Sequence, residues 1–385
     1  MSNMEFKLDN LYSVSNGLSK AGSFFGTGFP FLTFSTVFNN FFIPDDITDY
    51  VQSTEKEQET YSIKKGDIFI TRTSETIDEL GMSCVALKDY SQATFNGFCK
   101  RLRPITDKVY PKYIGYYLRT PYFRSNFMKV ASLITRASLR NDDLLRFKIE
   151  LPEYSQQIKI ADILSVYDSL IENNNKRIHL LEQMAENLYK EWFVRFRFPG
   201  YEDLEFENGI PNGWAVEKVK KCVNRLPFNQ LYKQNDLENE GSVIVIDQSS
   251  SDFLGFHNNE PSYYASIKKP IILFGDHSCK FVLMIRDFSL GENVVPFISF
   301  DENLLDNYYL YYAVHKLIAT EEYKRHWGRF TAMKIFIPQY HLQKTFSDIV
   351  KPMLEEKQKL WNENQLLIKQ RDMLLPRLMS GKLEV

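Results

Sequence analysis

The sequence carries almost no net charge and few of the residue patterns that perform chemistry. Its formal charge is −2 over 385 residues, so the chain as a whole has no pull toward a polyanion. Four cysteines (Cys84, Cys99, Cys222 and Cys279) stand far apart with no Cys-x-x-Cys pair, and the six histidines show no ligand spacing. That excludes a disulfide framework and argues against a zinc site. There is no Gly-x4-Gly-Lys-Ser/Thr loop to cradle ATP. The Asn/Asp-Pro-Pro-aromatic tetrapeptide that marks amino-methyltransferases is missing, and "LPFN" at Leu226–Asn229 is no substitute. Neither a Ser/His/Asp order nor the clustered acids and lysine of a nuclease can be defended. No apolar run reaches membrane-spanning length. The opening "MSNMEFKLDN" lacks the basic flank and apolar core of a signal peptide. A reducing, cytoplasmic location without membrane contact is the expectation.

What is present is a folded composition and an internal repeat. Apolar residues make up 44% of the chain and aromatics 15%, enough for two or three cores. "KIELPEYSQQIKIADIL" (Lys148–Leu164) returns 186 positions later as "KIFIPQYHLQKTFSDIV" (Lys334–Val350), with seven of 17 positions identical. Unrelated segments would share roughly one. A two-fold repeat divides the chain into a globular unit 1–150, a periodic segment 153–196, a second globular unit 197–336 and a second periodic segment 338–380.

The first periodic segment places Ile160, Leu164, Tyr167, Ile171, Asn174, Ile178, Leu181, Ala185, Leu188 and Trp192 at alternating steps of four and three. This is the seam of a coiled coil, with charged residues between. Asn174 on the seam reads either as a register-setting polar residue or as a locally exposed one. In the second segment the seam continues as Phe346, Val350, Met353, Lys357, Leu360, Asn364, Leu367, Arg371 and Leu374. Pro352 interrupts it and predicts a kink or restart near position 350. Each seam of about 33 residues would span roughly 50 Å. A single amphipathic seam must bury against something. The other copy is the cheapest partner, and an antiparallel pairing lets each globular unit sit at its own end. The expected class is therefore α+β: two similar mixed α/β domains separated by two long helices packed as an antiparallel coiled coil, a pseudo-two-fold internal repeat.

Within the globular units, Lys64–Tyr90 and Lys268–Phe288 both read as strand, polar loop, strand. Aromatic helical runs (Tyr110–Met128 and Leu304–Ile318) precede each rod, and "FENGIPNGW" (Phe206–Trp214) leads into the second unit. "FFGTGFP" (Phe24–Pro30) could cradle a nucleotide or S-adenosylmethionine. The apolar "FPFLTFSTVF" after it reads as extended, which favours a turn or a DNA-approaching loop. Asp276 and His277 in "GDHSC" could be catalytic, but a turn between strands accounts for them.

Local charge is more telling than total charge. Phe95–Lys148 holds 12 Lys/Arg against three Asp, an excess suited to a polyanion-facing side. Polar, Arg-bearing loops lie in or near this stretch and at the matching place in the second half. They nominate Arg72, Thr73, Ser74, Arg136, Ser138, Arg140, Lys324, Arg325 and Arg329 for nucleic-acid contact. Arginine forks onto guanine, and hydroxyls and lysine bind phosphate oxygens.

The pattern resembles the specificity subunit of type I restriction–modification systems over essentially the full length. The resemblance is carried by "LPEYSQQIKIADIL" with its rod, "FPGYEDLEFENGIPNGW", "IDQSSS", "FGDHSC" and the C-terminal "RDMLLPRLMSGKLEV". It implies two target-recognition domains, 1–150 and 197–336, each reading one half of a split, asymmetric sequence in double-stranded DNA. It implies conserved helical regions, 153–196 and 338–380, that fix the unspecified gap and dock two modification subunits. Restriction subunits would complete the complex. S-adenosylmethionine, ATP and Mg would belong to those partners, leaving this chain no cofactor, no metal and no catalytic residue. A rod of roughly 50 Å corresponds to about 15 base pairs of B-DNA. The competing readings are a stand-alone DNA methyltransferase built on "FFGTG" and a coiled-coil scaffold that binds only protein.

Overall fold

A computed structural model describes residues 4–72, 79–131, 140–203, 205–207, 209–249, 251–318 and 325–385. The chain forms two compact units. The first comprises residues 1–173 and 364–385; the second comprises residues 174–363.

The first unit contains β1 (Met4–Lys7), β2 (Tyr12–Asn16), β3 (Phe25–Leu32), β4 (Tyr50–Val51), β5 (Ile68–Thr71), β6 (Ser83–Val85), β7 (Thr94–Phe95), β8 (Cys99–Pro104) and β9 (Lys148–Leu151). Its short helices are α1 (Phe34–Asn39), α2 (Glu55–Thr60), α3 (Pro111–Tyr117), α4 (Pro121–Ala131) and α5 (Asn141–Leu145). The long helix α6 (Tyr154–Tyr189) begins here. The sheets have the orders β2-β8-β5-β6, β4-β3-β7 and β1-β9. Strand β5, "IFIT", is buried along its whole length, as a central strand covered on both faces requires. The aromatic run of α3 and α4 closes over this sheet through Tyr113, Tyr116, Phe123 and Phe127.

The segment around "FGTG" departs from the sequence expectation in two ways. Phe25–Leu32 is a strand whose register to β4 shifts between Phe25 and Phe29. Gly28 has φ +108°, and a Cβ there would lie 2.5 Å from the Val51 carbonyl oxygen. Gly28 serves close strand approach, and Gly26, with open space around it, serves a backbone at φ +93°. "FSTVFN" is the helix α1, and extended structure stops at Leu32. Thr33 caps it, its hydroxyl accepting from the Thr36 N–H at 3.3 Å, so a local cap overrides the β-prone composition.

The second unit repeats the plan. A small hairpin, β10 (Phe206–Glu207) and β11 (Ile210–Pro211), precedes β12 (Ala215–Lys218), β13 (Val223–Arg225), β14 (Val243–Ile246), β15 (Gly255–His257) and β16 (Ile271–Gly275). Strands β17 (Phe281–Met284), β18 (Phe288–Leu290), β19 (Val294–Ser299) and β20 (Lys334–Ile337) follow. Helices α7 (Val219–Cys222), α8 (Asn307–Val314) and α9 (Trp327–Ala332) lie among them, and the long α10 (Tyr340–Met379) closes the chain. The sheets run β13-β19-β16-β17, β15-β14-β18 and β12-β20. Nine strands thus correspond one to one with β1–β9. The senses also match: β3 with β7 and β14 with β18 are parallel pairs, and the other ladders are antiparallel.

The repeated glutamine explains why "PEYSQQ" and "PQYHLQ" keep their form. Gln157 is buried. Its amide donates to the Pro152 and Lys108 carbonyls, both at 3.0 Å, and its carbonyl accepts from the Tyr110 N–H at 2.9 Å. Gln343, also buried, donates to the Pro338 and Leu304 carbonyls at 2.7 and 3.3 Å and accepts from the Asp306 N–H at 2.9 Å. Each side chain locks the first turn of a long helix to the segment just before an aromatic helix.

Every seam position of both helices is buried or half-buried. Leu164, Leu375 and Leu378 enter the core of the first unit, and Phe346 and Val350 that of the second. Within the first unit the Arg371 guanidinium meets Asp168 at 2.6 Å, and the Lys159 ammonium reaches the Val385 carbonyl at 3.5 Å. Within the second, Lys357 meets Glu182 at 2.5 Å and Phe346 packs 6.2 Å from Trp192. As α6 advances, α10 recedes, so the helices pair antiparallel. Asn174 is buried, not exposed. The helix does not restart at Pro352: α10 is continuous for 40 residues. Pro352 is exposed, while the seam residues Phe346 and Val350 of the preceding turns are buried. Among the described residues, no helix is long and apolar enough to cross a membrane.

Candidate nucleic-acid interface

In the first unit, two loops singled out in the sequence have their described ends at one place. Arg72 follows β5, and Arg140 and Asn141 open α5. Lys100, at the start of β8, lies between them. Its ammonium donates to Asn16 Oδ1 at 3.2 Å and, over a shorter contact, to Asn141 Oδ1. Arg72 donates to the same Asn16 oxygen at 3.4 Å, and its buried Nε has no partner. Burial and then the charge of Arg72 hold the Lys100 pKa below its ordinary value. Among the described residues no carboxylate pairs with either cation. Two like charges held together by neutral amides form a strong local donor set, suited to an anionic oxygen or a base acceptor. Arg140 is exposed beside Asn141. Thr73, Ser74, Arg136 and Ser138 lie outside the described residues.

Part of the basic excess of Phe95–Lys148 is engaged within the fold. Arg101 donates to the Ser62 carbonyl at 2.6 Å, and Arg103 grips Asp67 with bonds of 2.8 and 2.7 Å. Arg119 ties together the Val37, Asn40 and Ser83 carbonyls at 2.6–2.8 Å, and burial pulls its pKa down to about 10. Arg124 donates to the Leu80 carbonyl at 2.6 Å, and Lys148 pairs with Glu5 at 2.7 Å. The four arginines satisfy backbone oxygens and a carboxylate within the fold, and Lys148 is neutralised at the surface, uses that composition cannot distinguish from free surface charge.

In the second unit, Asp276 follows β16 as Arg72 follows β5. Its Oδ1 accepts from the His326 and Trp327 N–H groups at 3.0 and 2.8 Å. The carboxylate therefore organises the start of α9, and the turn reading of "GDHSC" holds. Arg325 is exposed, with Nε 3.9 Å from Asp276 Oδ2. Arg329 is exposed on α9. Lys324 lies outside the described residues. Sequence reasoning missed Asn16 and Lys100, which join the first cluster. It also missed a groove of 590 Å³ lined by Lys218, Lys220, Arg225 and Trp327. Alternation along "CKRLRP" was the available signal for Lys100, because it points the opposite way from Arg101 and Arg103. Among the described residues, no cluster of three or more His, Cys, Asp or Glu is placed to hold a metal ion.

Comparison with known proteins gives the family. Residues 3–183 match the type I restriction modification DNA specificity domain. The MjaIX type I restriction enzyme specificity subunit of Methanocaldococcus jannaschii is 26% identical over 371 residues, covering 86% of this chain and 82% of that protein. The putative MjaX specificity subunit of the same organism is 24% identical over 406 residues, covering 98% and 92%. The crystal structure of a type I restriction–modification S subunit from M. genitalium superposes with a TM-score of 0.55 at 14% identity, covering 98% of this chain and 96% of that one; it supports the fold. The doubled strand plan and paired helices give two mixed α/β domains flanking two long helices. Residues 3–183 belong to the type I restriction modification DNA specificity domain family, and nearly the whole chain is similar to type I specificity subunits.

Proposed function

We infer that this chain reads a split sequence in double-stranded DNA, residues 1–150 serving one half and residues 197–336 the other. The carrying observation is the nine-strand plan that occurs twice with the same order and senses. One plan with different side chains at Arg72 and Asp276 is what two readers of different half-sequences need. The segments 153–196 and 338–380 set the gap between the halves and dock two modification subunits, to which restriction subunits are added. S-adenosylmethionine and ATP chemistry belongs to those partners.

The docking assignment has its own support. Beyond the tyrosines that open them, the long helices expose the apolar side chains Val166, Leu170, Leu366 and Met373 in the first unit and Leu180, Met184 and Ile349 in the second. Each immediately precedes a seam residue, so each lies about 100° round its helix in the same sense. Within the second unit Arg177 and Glu356, which also precede seam residues, pair at 2.8 Å. That places these flanks of the two helices side by side. Apolar residues along such a flank suit a protein partner.

The test is methylation-sensitive sequencing of DNA modified by the assembled complex. Replacing residues 1–150 with the matching region of another family member should change one half of the methylated motif. Inserting seven residues into both helices should lengthen the gap and leave both halves intact. A swap that alters both halves, or an insertion that leaves the gap unchanged, refutes the corresponding assignment.

A further inference from the structure

We propose that the groove between the β12–β13 segment and α9 in the second unit seats the phosphodiester backbone of duplex DNA. The inference rests on the reading of residues 197–336 as a DNA-facing domain and adds to it a specific surface.

The groove has a one-sided charge. Its lining is Lys218, Lys220, Val223, Arg225, Trp327, Gly328, Thr331 and Ala332, with no acidic side chain. Arg225 is held by aromatic faces, its guanidinium 4.2 Å from the Phe228 ring centre and 6.0 Å from that of Trp327. Stacking restricts the fork while leaving its N–H groups open to an oxyanion.

The matching place in the first unit supplies an internal comparison. There Lys7 stands opposite Lys148 across the β1–β9 ladder, and Glu5 neutralises Lys148 at 2.7 Å. In the second unit Lys218 stands opposite Lys334 in the same way. The position of Glu5 is taken by Val216. Glu217 pairs with Lys221 at 3.0 Å. Among the described residues no carboxylate reaches Lys218 or Lys334. Like charges directly opposite one another on a ladder are unfavourable. Keeping the pair while dropping the carboxylate leaves a site that an incoming anion completes. Lysines at the rim and an Arg on aromatic supports match a phosphate track. Backbone contact of this kind positions the domain on the duplex without choosing bases.

Gly328 gives a clean probe. A Cβ at this position meets nothing within 4 Å, so a side chain here enters the groove without disturbing the fold. The experiment measures duplex binding by the complex with modification subunits, across a salt series, on target and unrelated sequences. For Lys218→Ala/Lys220→Ala/Arg225→Ala, the slope of log affinity against log salt should fall by about 2.7, at about 0.9 per phosphate contact. The fall should be the same on both sequences, and the methylated motif should stay unchanged. Gly328→Glu should weaken binding at least tenfold, and Gly328→Ala should bind like the parent. Unchanged slope together with full binding by Gly328→Glu overturns the proposal. So does an altered methylated motif, which would make the groove a base reader. Loss of modification-subunit binding with DNA affinity per complex intact would make it a protein site and also overturns it. The domain exchange above reads which bases are chosen, and the salt slope reads the backbone grip, so either reading can fail alone.

Discussion

The buried amides of Gln157 and Gln343 fix where each long helix departs from its globular unit. Each serves three backbone groups, the Pro152 carbonyl in one case and the Asp306 N–H and Pro338 carbonyl in the other being buried, and leaving a buried group unserved costs about 1–3 kcal/mol. Gln343→Leu strands the Asp306 N–H and the Leu304 and Pro338 carbonyls. We expect a loss of about 3 kcal/mol in urea unfolding of the full chain; a change below about 0.5 kcal/mol, the range of ordinary surface substitutions, would remove the glutamine's anchoring role. At this scale the sequence was partly legible. The identity of the two glutamines was visible in the repeat, but their partners were not. The grouping of Asn16, Arg72, Lys100 and Asn141 was hidden because its members are up to 125 positions apart by number and meet through the β2–β8 and β5–β8 pairings and the placement of α5. Arg101, Arg103 and Arg119 misled for a related reason. Their charge is countable from sequence, but what they bond to is set by tertiary contacts.

The long helices were the most legible elements, because a seam at steps of four and three admits few other structures. Burial follows those steps even at the polar positions Asn174, Asn364 and Arg371. Two local rules were overridden. The helix runs through Pro352 without a restart, and a threonine cap made a helix of "FSTVFN". The far end of α6 carries a charge clamp. Hydrogen bonds from Lys190 and Lys316, at 2.7 and 2.5 Å, lower the Glu186 pKa to about 2, against 4.5 for the ordinary carboxyl. Because the folded-state value is depressed, this stabilisation is fully present above about pH 4.5 and is lost as pH falls through about 2. The chain and its Glu186→Gln variant should differ in stability at neutral pH and converge in strong acid. Parallel stability profiles over that window would show that the clamp contributes nothing.

For the whole molecule, two copies of one strand plan are the main fact, and the sequence exposed their ends, one strand–loop–strand pair and the aromatic helix of each copy. Beyond Lys148–Leu164 and its copy, strands such as "IFIT" and "IILFG" occupy equivalent places with little in common. A buried strand asks only for apolar residues that pack, so the plan survives while the letters change. The most direct measurement replaces residues 197–336 with a second copy of residues 1–150 and sequences the DNA methylated by the resulting complex. We expect a motif made of the same half-sequence twice, with the second original half gone. A motif that keeps the second half, or one in which neither half survives in an otherwise active complex, would contradict the assignment of one domain to each half.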